Sequence, residues 1–86
     1  MLKIGYQPSF VRIFDELEVD LQNEIQEKIN IFRDPRYHKQ LRVHKLHGAL
    51  KHLYSFSVNY EIRIVFKYLS ANEVALLQIG NHDIYR

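Results

Sequence analysis

The first residues of the chain alternate between apolar side chains and polar or small ones. Leu2, Ile4 and Tyr6 are separated by Lys3 and Gly5. Because successive side chains of a β-strand point to opposite faces, this alternation predicts a short strand at the start of the chain.

Apolar residues then recur every three or four positions, which is the spacing of one face of an α-helix. We expect the first helix to open at Pro8 and Ser9, with the Ser9 hydroxyl capping the first turn. The second helix is expected to start near Asp20, whose carboxylate would be its N-cap, and to end before Pro35, because the residue before a proline disfavours helical geometry. The apolar stripes, which we expect to lie in the core, are Phe10, Ile13, Phe14 and Leu17, then Leu21, Ile25, Ile29 and Phe32.

The second half of the chain predicts an antiparallel meander. Residues 53–58 and 60–68 alternate between apolar and polar side chains, and residues 70–72 have the composition of a turn. Residues 74–79 are nearly all apolar, so we expect a central strand with both faces covered. The intervening residues 34–52 are basic and irregular, and they predict a loop or a short helical turn.

A short N-terminal strand, two helices and a meander that forms one sheet define an α+β fold. The 86 residues fit a single domain, which we place at residues 1–86. The absence of cysteine excludes disulfides and thiolate metal sites. No segment has the apolar run of a signal peptide or a membrane span, so we expect a cytoplasmic protein without a membrane partner.

The net charge of +2 hides an asymmetry along the chain. Residues 1–32 carry three basic and six acidic side chains, whereas residues 33–67 carry eight basic and two acidic ones. Clustered Lys and Arg side chains are the electrostatic footprint of a polyanion partner. A solvated surface with uneven charge is the alternative interpretation.

Three residues near the end of the chain have side chains suited to acid–base chemistry or phosphate binding. Glu61 and Arg63 are two apart on a predicted strand, so we expect them to share the polar face of the sheet. An exposed ion pair of little energetic weight explains the same spacing. His82 follows the last predicted strand, and histidine exchanges protons near neutral pH.

If the polar face meets RNA, these residues could support metal-free cleavage by the RNA's own 2′-hydroxyl. That reaction needs a base for the hydroxyl proton, a cation for the charge growing on the phosphate and an acid for the leaving 5′-oxygen. Glu61 or His44 could be the base, Arg63 the cation and His82 the acid. Tyrosines could give bases a stacking surface; the candidates are Tyr54, Tyr60 and Tyr85, although core packing is the better explanation for Tyr54.

Other classes of site have weak support in the sequence. His44 and His47 have the i, i+3 spacing of a metal-binding pair, but no cysteine and no nearby acidic ligand accompanies them. The sequence has no P-loop, no dinucleotide-binding glycine motif and no Ser–His–Asp signature. We therefore expect no metal and no cofactor.

Four short motifs resemble those of the RelE/ParE superfamily of toxins. Residues 44–51 (HKLHGALK) are similar to its H-x-L-x-G-x-L/W-K segment, and residues 53–60 follow at the matching distance. Residues 61–66 (EIRIVF) resemble its third strand, and residues 77–83 (LQIGNHD) resemble its I-G-x-H-D ending. The predicted order of one strand, two helices and a sheet also matches the family's fold.

The resemblance implies the toxin of a type II toxin–antitoxin system that acts as a ribosome-dependent, metal-free mRNA endonuclease. It implies three partners, namely a cognate antitoxin, the ribosome and mRNA, with operator DNA bound through the antitoxin. By position it implies that Arg63 steadies the phosphate, that His82 lies next to the leaving group, and that the carboxylate and the earlier histidine are Glu61 and His44. The residues that we expect to bind RNA are Arg42, Lys45, His47, Lys51 and Tyr85.

Two alternatives on the same fold remain open. One is a ParE-like inhibitor of DNA gyrase that acts by binding protein, although members of that branch tend to lack the acid, arginine and histidine found here. The other is a catalytically weakened toxin. Gln78 stands where some relatives have a basic residue, Tyr85 comes earlier than their C-terminal aromatic residue, and almost no tail follows it.

Overall fold

The computed structural model of the protein describes residues 1–50 and 52–81. Within these ranges the chain forms the predicted short strand, then two helices, then the strands of a sheet, and so confirms the α+β fold class. In chain order the elements are β1 (Lys3–Tyr6), α1 (Pro8–Asp15), α2 (Val19–Phe32), β2 (His44–Lys45), β3 (Tyr54–Ser57), β4 (Ile62–Ser70) and β5 (Glu73–Asn81). Two short 3-10 helices, Pro35–Tyr37 and Gly48–Leu50, flank β2.

The strands join one sheet in the order β1-β5-β4-β3-β2. β3, β4 and β5 form the predicted antiparallel meander. β1 pairs in parallel with β5, which requires a crossover connection, and the chain between them supplies it. β2 was not predicted, because an edge strand of two residues is too short to show alternation.

The helices cover one face of the sheet through an aromatic cluster around Phe32. The Phe32 ring stacks on Phe56 with the centroids 4.2 Å apart, and it meets Phe66 edge-on at 4.8 Å. All three side chains are fully buried. The predicted apolar stripes of both helices are confirmed, since each member is buried or packs against buried residues.

A histidine closes the C-terminal end of α2. His38 Nε2–H donates to the Phe32 carbonyl oxygen over 2.8 Å, and the two rings stack with centroids 4.7 Å apart. Because a carbonyl oxygen can only accept, the proton lies on Nε2. The bond satisfies one of the carbonyl groups that a helix leaves free at its end.

Both predicted helix caps are wrong. The N-cap residues are Gln7 for α1 and Glu18 for α2, and neither side chain makes a capping hydrogen bond. Asp20 lies in the first turn of α2, where its negative charge interacts favourably with the positive end of the helix dipole. Ser9 lies inside α1, because Pro8 starts the helix at a position where its missing N–H costs nothing.

The Ser9 hydroxyl instead binds an irregularity in β5. The register between β4 and β5 shifts between Val65 and Phe66, which leaves Leu77 of β5 as an extra residue. Such a bulge takes the extra residue out of the ladder of the sheet. Ser9 Oγ–H donates to the Leu77 carbonyl oxygen over 2.7 Å and so joins α1 to the bulge.

β5 has buried residues on both faces, as predicted for a central strand. Leu76 and Ile79 both belong to the main core although they are three residues apart, because the extra residue shifts the alternation. Ala75 is buried on the other face, outside that core cluster. Gln78 is exposed.

We expect the Ser9→Ala variant to lose about 1–2 kcal/mol of unfolding free energy, because the Leu77 carbonyl would lose its partner. Urea unfolding followed by circular dichroism measures the loss. Ser70→Ala is the matched control, since Ser70 bonds Asn72 in an exposed turn at 3.2 Å. Equal stability of the two variants would contradict the proposed link between α1 and the bulge.

Candidate active site

The second face of the sheet, turned away from the aromatic cluster, brings together two of the predicted catalytic residues. His44 of β2 lies opposite Ser55 of β3, and Ser55 lies opposite Val65 of β4. Arg63 lies opposite Ser57, two positions further along both strands. Paired residues and residues two apart project from the same face, so His44 and Arg63 share it. Because β3 lies between the strands of His44 and Arg63, the backbones of these two strands are about 10 Å apart across the sheet.

The guanidinium of Arg63 is incompletely satisfied. Its nitrogen Nη1 is buried and has no hydrogen-bond partner. In the described part of the chain, the one salt bridge joins Arg36 to Asp34, so no carboxylate of these residues forms a salt bridge with Arg63. A buried donor without a partner typically costs about 1–3 kcal/mol, which makes this nitrogen exceptional. Arg63 therefore has an unused hydrogen-bond donor at Nη1.

Arg63 lines a groove beside the turn that joins β3 to β4. The groove encloses about 420 Å³, and its lining includes three cationic side chains, one carboxylate and one tyrosine. We call it the turn groove and define it by its lining residues: Glu24, Lys28, Arg42, Ser57, Val58, Asn59, Tyr60 and Arg63. The excess of positive charge suits the groove to an anion.

Asn59 organises the turn and places Glu61 outside the sheet. The Asn59 oxygen Oδ1 accepts from the N–H groups of Glu61 and Ile62, each over 2.9 Å. β4 consequently begins at Ile62, and Glu61 is exposed before it. The prediction that Glu61 and Arg63 share a strand face is wrong, because an asparagine side chain replaces the partner strand at this point.

The ring of His44 is exposed and oriented by the backbone. His44 Nδ1–H donates to the carbonyl oxygen of Arg42 over 2.9 Å. The proton must lie on Nδ1, so Nε2 of the neutral ring is a proton acceptor. His44 thus has the tautomer that leaves Nε2 as the acceptor nitrogen.

The backbone of Arg42, which accepts this bond, has a φ of 56°. This angle lies in the left-handed region, which costs a non-glycine residue roughly 1 kcal/mol.

The residues predicted to bind RNA divide into two groups. Three are exposed in the structure, namely Arg42, Lys45 and His47. Of these, Arg42 also lines the turn groove. Three further predicted residues lie outside the described ranges: Lys51, Tyr85 and the catalytic candidate His82.

The described tyrosine candidates have different surroundings. Tyr54 packs against Phe66 and Tyr68, with ring centroids 5.6 and 5.0 Å away, which confirms that it belongs to the core. Burial, with Tyr54 nearby, raises the pKa of the Tyr68 phenol. Tyr60 is 99% exposed in the β3–β4 turn and lines the turn groove, so its ring is free to stack on a base.

The sequence did not predict the contribution of α2 to the groove. Glu24 and Lys28 line it from α2, one helical turn apart. Asn59, which lies between two predicted strands, was also not predicted. An asparagine before a strand is a turn signal in itself, but its contact with α2 follows only from the packing of the helix on the sheet.

The described residues contain neither a membrane-spanning helix nor a cluster of metal-binding side chains. No helix in these ranges is long and apolar enough to cross a membrane. The same residues contain no group of three or more His, Cys, Asp or Glu side chains that could hold a metal ion.

The overall structure is similar to solved structures of toxin–antitoxin proteins. No protein-family model and no curated protein matches the chain. The YoeB–YefM complex from Staphylococcus aureus aligns with a TM-score of 0.71 at 19% identity, over 95% of this chain and 98% of that chain. YafQ from Escherichia coli aligns with a TM-score of 0.72 at 16% identity, over 98% and 97%. The toxin–antitoxin complex RelBE2 from Mycobacterium tuberculosis aligns with a TM-score of 0.70 at 12% identity, over 94% and 98%.

These alignments extend over nearly the whole of each chain, so they define one common fold. The chain has the RelE/ParE-type fold, and the fold expected from the resemblance of residues 44–85 is confirmed.

We expect the Arg63→Met variant to be as stable as the wild type or more stable by up to about 1 kcal/mol, because the substitution removes an unpaired buried donor and keeps an apolar stem. Urea unfolding measures the difference. Arg36→Met is the control for loss of a cation, and its exposed pair with Asp34 should change stability by less than about 1 kcal/mol. A clear loss of stability in Arg63→Met alone would show that Arg63 has a structural role.

Proposed function

We propose that this protein is the toxin of a type II toxin–antitoxin system and that it inhibits translation by cutting mRNA on the ribosome. The proposal rests on the guanidinium of Arg63, which lines the cationic turn groove and whose nitrogen Nη1 has no hydrogen-bond partner. The fold shared with YoeB and YafQ supports it. A phosphodiester suits this site, because the planar fork of arginine can bond two phosphate oxygens at once.

The proposed reaction is attack of a ribose 2′-oxygen on the adjacent phosphorus. A base takes the proton of the 2′-hydroxyl while the bond from O2′ to phosphorus forms. The bond from phosphorus to O5′ then breaks, and an acid gives a proton to O5′. The products are a 2′,3′-cyclic phosphate and a 5′-hydroxyl end. Arg63 stabilises the charge that grows on the non-bridging oxygens.

His44 and Glu61 are the two candidates for the base. His44 has an acceptor nitrogen fixed by the Arg42 carbonyl, and it shares a sheet face with Arg63. Glu61 is exposed and is nearer to Arg63 along the chain. The acid in this proposal is His82, the residue after the end of β5, and this role comes from the resemblance alone.

The remaining predicted residues would hold the RNA by its charge and its bases. Lys45 and His47 are exposed near the β2 edge, and Lys51 and Tyr85 are assigned by sequence alone. Tyr60 adds a fully exposed ring at the turn groove. Contacts of this kind are largely electrostatic, so binding should weaken steeply with salt.

The partners follow from the same proposal. An acidic antitoxin would neutralise the basic segment of residues 33–67 and bind operator DNA on behalf of the pair. The complexes of YoeB with YefM and of RelBE2 are the structural precedents. We place the protein in the cytoplasm, where ribosomes and mRNA are available.

We expect the wild type to cut a defined mRNA at the A-site codon of stalled ribosomes in a reconstituted translation system. Arg63→Ala and His82→Ala should each slow the cut by about 100-fold or more, since each removes a group that acts in the transition state. Mapping of the RNA ends over a time course measures the rate. Arg36→Ala, which removes an exposed arginine outside the proposed site, is the matched control.

The same experiment separates the alternatives. Cuts that persist unchanged in both variants would disprove the catalytic roles of Arg63 and His82. If folded wild-type protein makes no cuts on intact ribosomes, the endonuclease proposal fails, and inhibition of DNA gyrase becomes the next activity to measure. If the wild type does cut, His44→Gln and Glu61→Gln identify the base. Only the variant that lacks the base should have a reduced cleavage rate at saturating ribosome concentration.

A further inference from the structure

The carboxylate that lines the turn groove does not neutralise the cations beside it. Glu24 precedes Lys28 by four residues on α2, an arrangement in which Glu and Lys side chains readily pair. Arg42 and Arg63 line the same groove. Yet across residues 1–50 and 52–81 the one salt bridge is that of Arg36 with Asp34. The Glu24 carboxylate therefore has a partner other than these cations.

Asn59 provides the alternative partner. Its amide Nδ2–H donates to Glu24 Oε1 over 2.7 Å, a bond between residues 35 positions apart in the chain. The other end of the same side chain is fixed, because Oδ1 accepts from the N–H groups of Glu61 and Ile62. The amide can therefore donate toward α2 without a change of rotamer. A hydrogen bond to a charged acceptor is among the stronger ones in proteins.

We propose that Asn59 is a positioning residue that holds the Glu24 carboxylate away from Arg63 and so keeps the turn groove free to bind a phosphate group. The inference rests on the proposed function for its substrate, a phosphodiester. It adds that the anion site depends on the donor and acceptor pattern of two residues that do not react. Glu24 is the residue controlled, and Asn59 is the residue that controls it.

The physical reason is competition for one guanidinium. If the Asn59 donor is lost, Glu24 lies in a groove with three cations and no competing hydrogen bond. A carboxylate and a phosphate both match the fork of arginine, so pairing with Glu24 would occupy the nitrogen that is now unpaired. The phosphate would then have to displace an internal anion before it could bind.

The variants that test this idea leave the turn intact. Asn59→Asp keeps an oxygen that accepts from the N–H groups of Glu61 and Ile62, but it removes the donor to Glu24. Asn59→Asp with Glu24→Gln reverses the donor and acceptor, and it restores both the hydrogen bond and the wild-type net charge. Asn23→Asp is the control for added charge, because exposed Asn23 precedes Glu24 but does not line the turn groove.

The readout is the shift of the Arg63 side-chain Nε–Hε signal in an NMR titration with inorganic phosphate, assigned by its loss in Arg63→Met. Asn59→Asp should weaken phosphate binding about threefold to fivefold, the factor that an exposed ion pair of up to ~1 kcal/mol gives. The double variant should return to within about twofold of wild type, and Asn23→Asp should change the affinity by less than about twofold because solvent screens it. Glu24→Gln alone should bind phosphate at least as tightly as wild type.

Several results would overturn the inference. These are a wild-type Arg63 signal that does not respond to phosphate, equal weakening by Asn59→Asp and Asn23→Asp, and no recovery in the double variant. If Asn59→Asp does not fold, Glu24→Gln decides alone, and weaker phosphate binding in that variant would be the contrary result. Because the titration needs no ribosome, it can succeed even if the protein fails to cut mRNA, so the two proposals can fail separately.

Discussion

The packing of Phe32 against the sheet is the constraint on which the rest of the structure depends. Its ring contacts Phe56 and Phe66 from two strands. His38 stacks on the same ring and donates a hydrogen bond to the Phe32 carbonyl oxygen at the end of the helix. This contact fixes the end of α2 over the meander. Glu24 lies eight residues earlier, about 12 Å along a helix axis. Anchoring Phe32 therefore determines which side chain of α2 can reach the β3–β4 turn.

The same constraint separates the two faces of the sheet by their chemistry. The apolar face is filled by the helices, so groups that need water or a ligand are left to the second face and the turn groove. Arg63 is the clearest example, since its unpaired buried nitrogen contributes nothing to folding. Sites that bind a reacting phosphate commonly retain such a cost, because a partner supplied by the protein would block the substrate.

The sequence predicts the parts of this fold that depend on local patterns. Helical stripes and strand alternation identified the core and the meander, because both follow directly from the geometry of their elements. The helix caps and the position of Glu61 could not be predicted, since Ser9 bonds a carbonyl 68 residues away and Asn59 makes its own turn. For the candidate site, Arg63 and His44 were proposed from residue type, whereas the contact of Glu24 with the β3–β4 turn required the tertiary structure.

A fold shared at 12–19% identity says little about which partner a protein binds. Apolar patterning and approximate volume are sufficient to specify such a core, so a shared fold does not require shared residues at the site that meets a substrate. The choice between the two proposed activities, cutting RNA and binding a protein, must then depend on the second face and the turn groove. There the decisive question is whether a phosphate can reach Arg63. An arginine paired with an internal carboxylate would serve only structure, whereas one kept free by the Asn59–Glu24 bond is available for a phosphodiester.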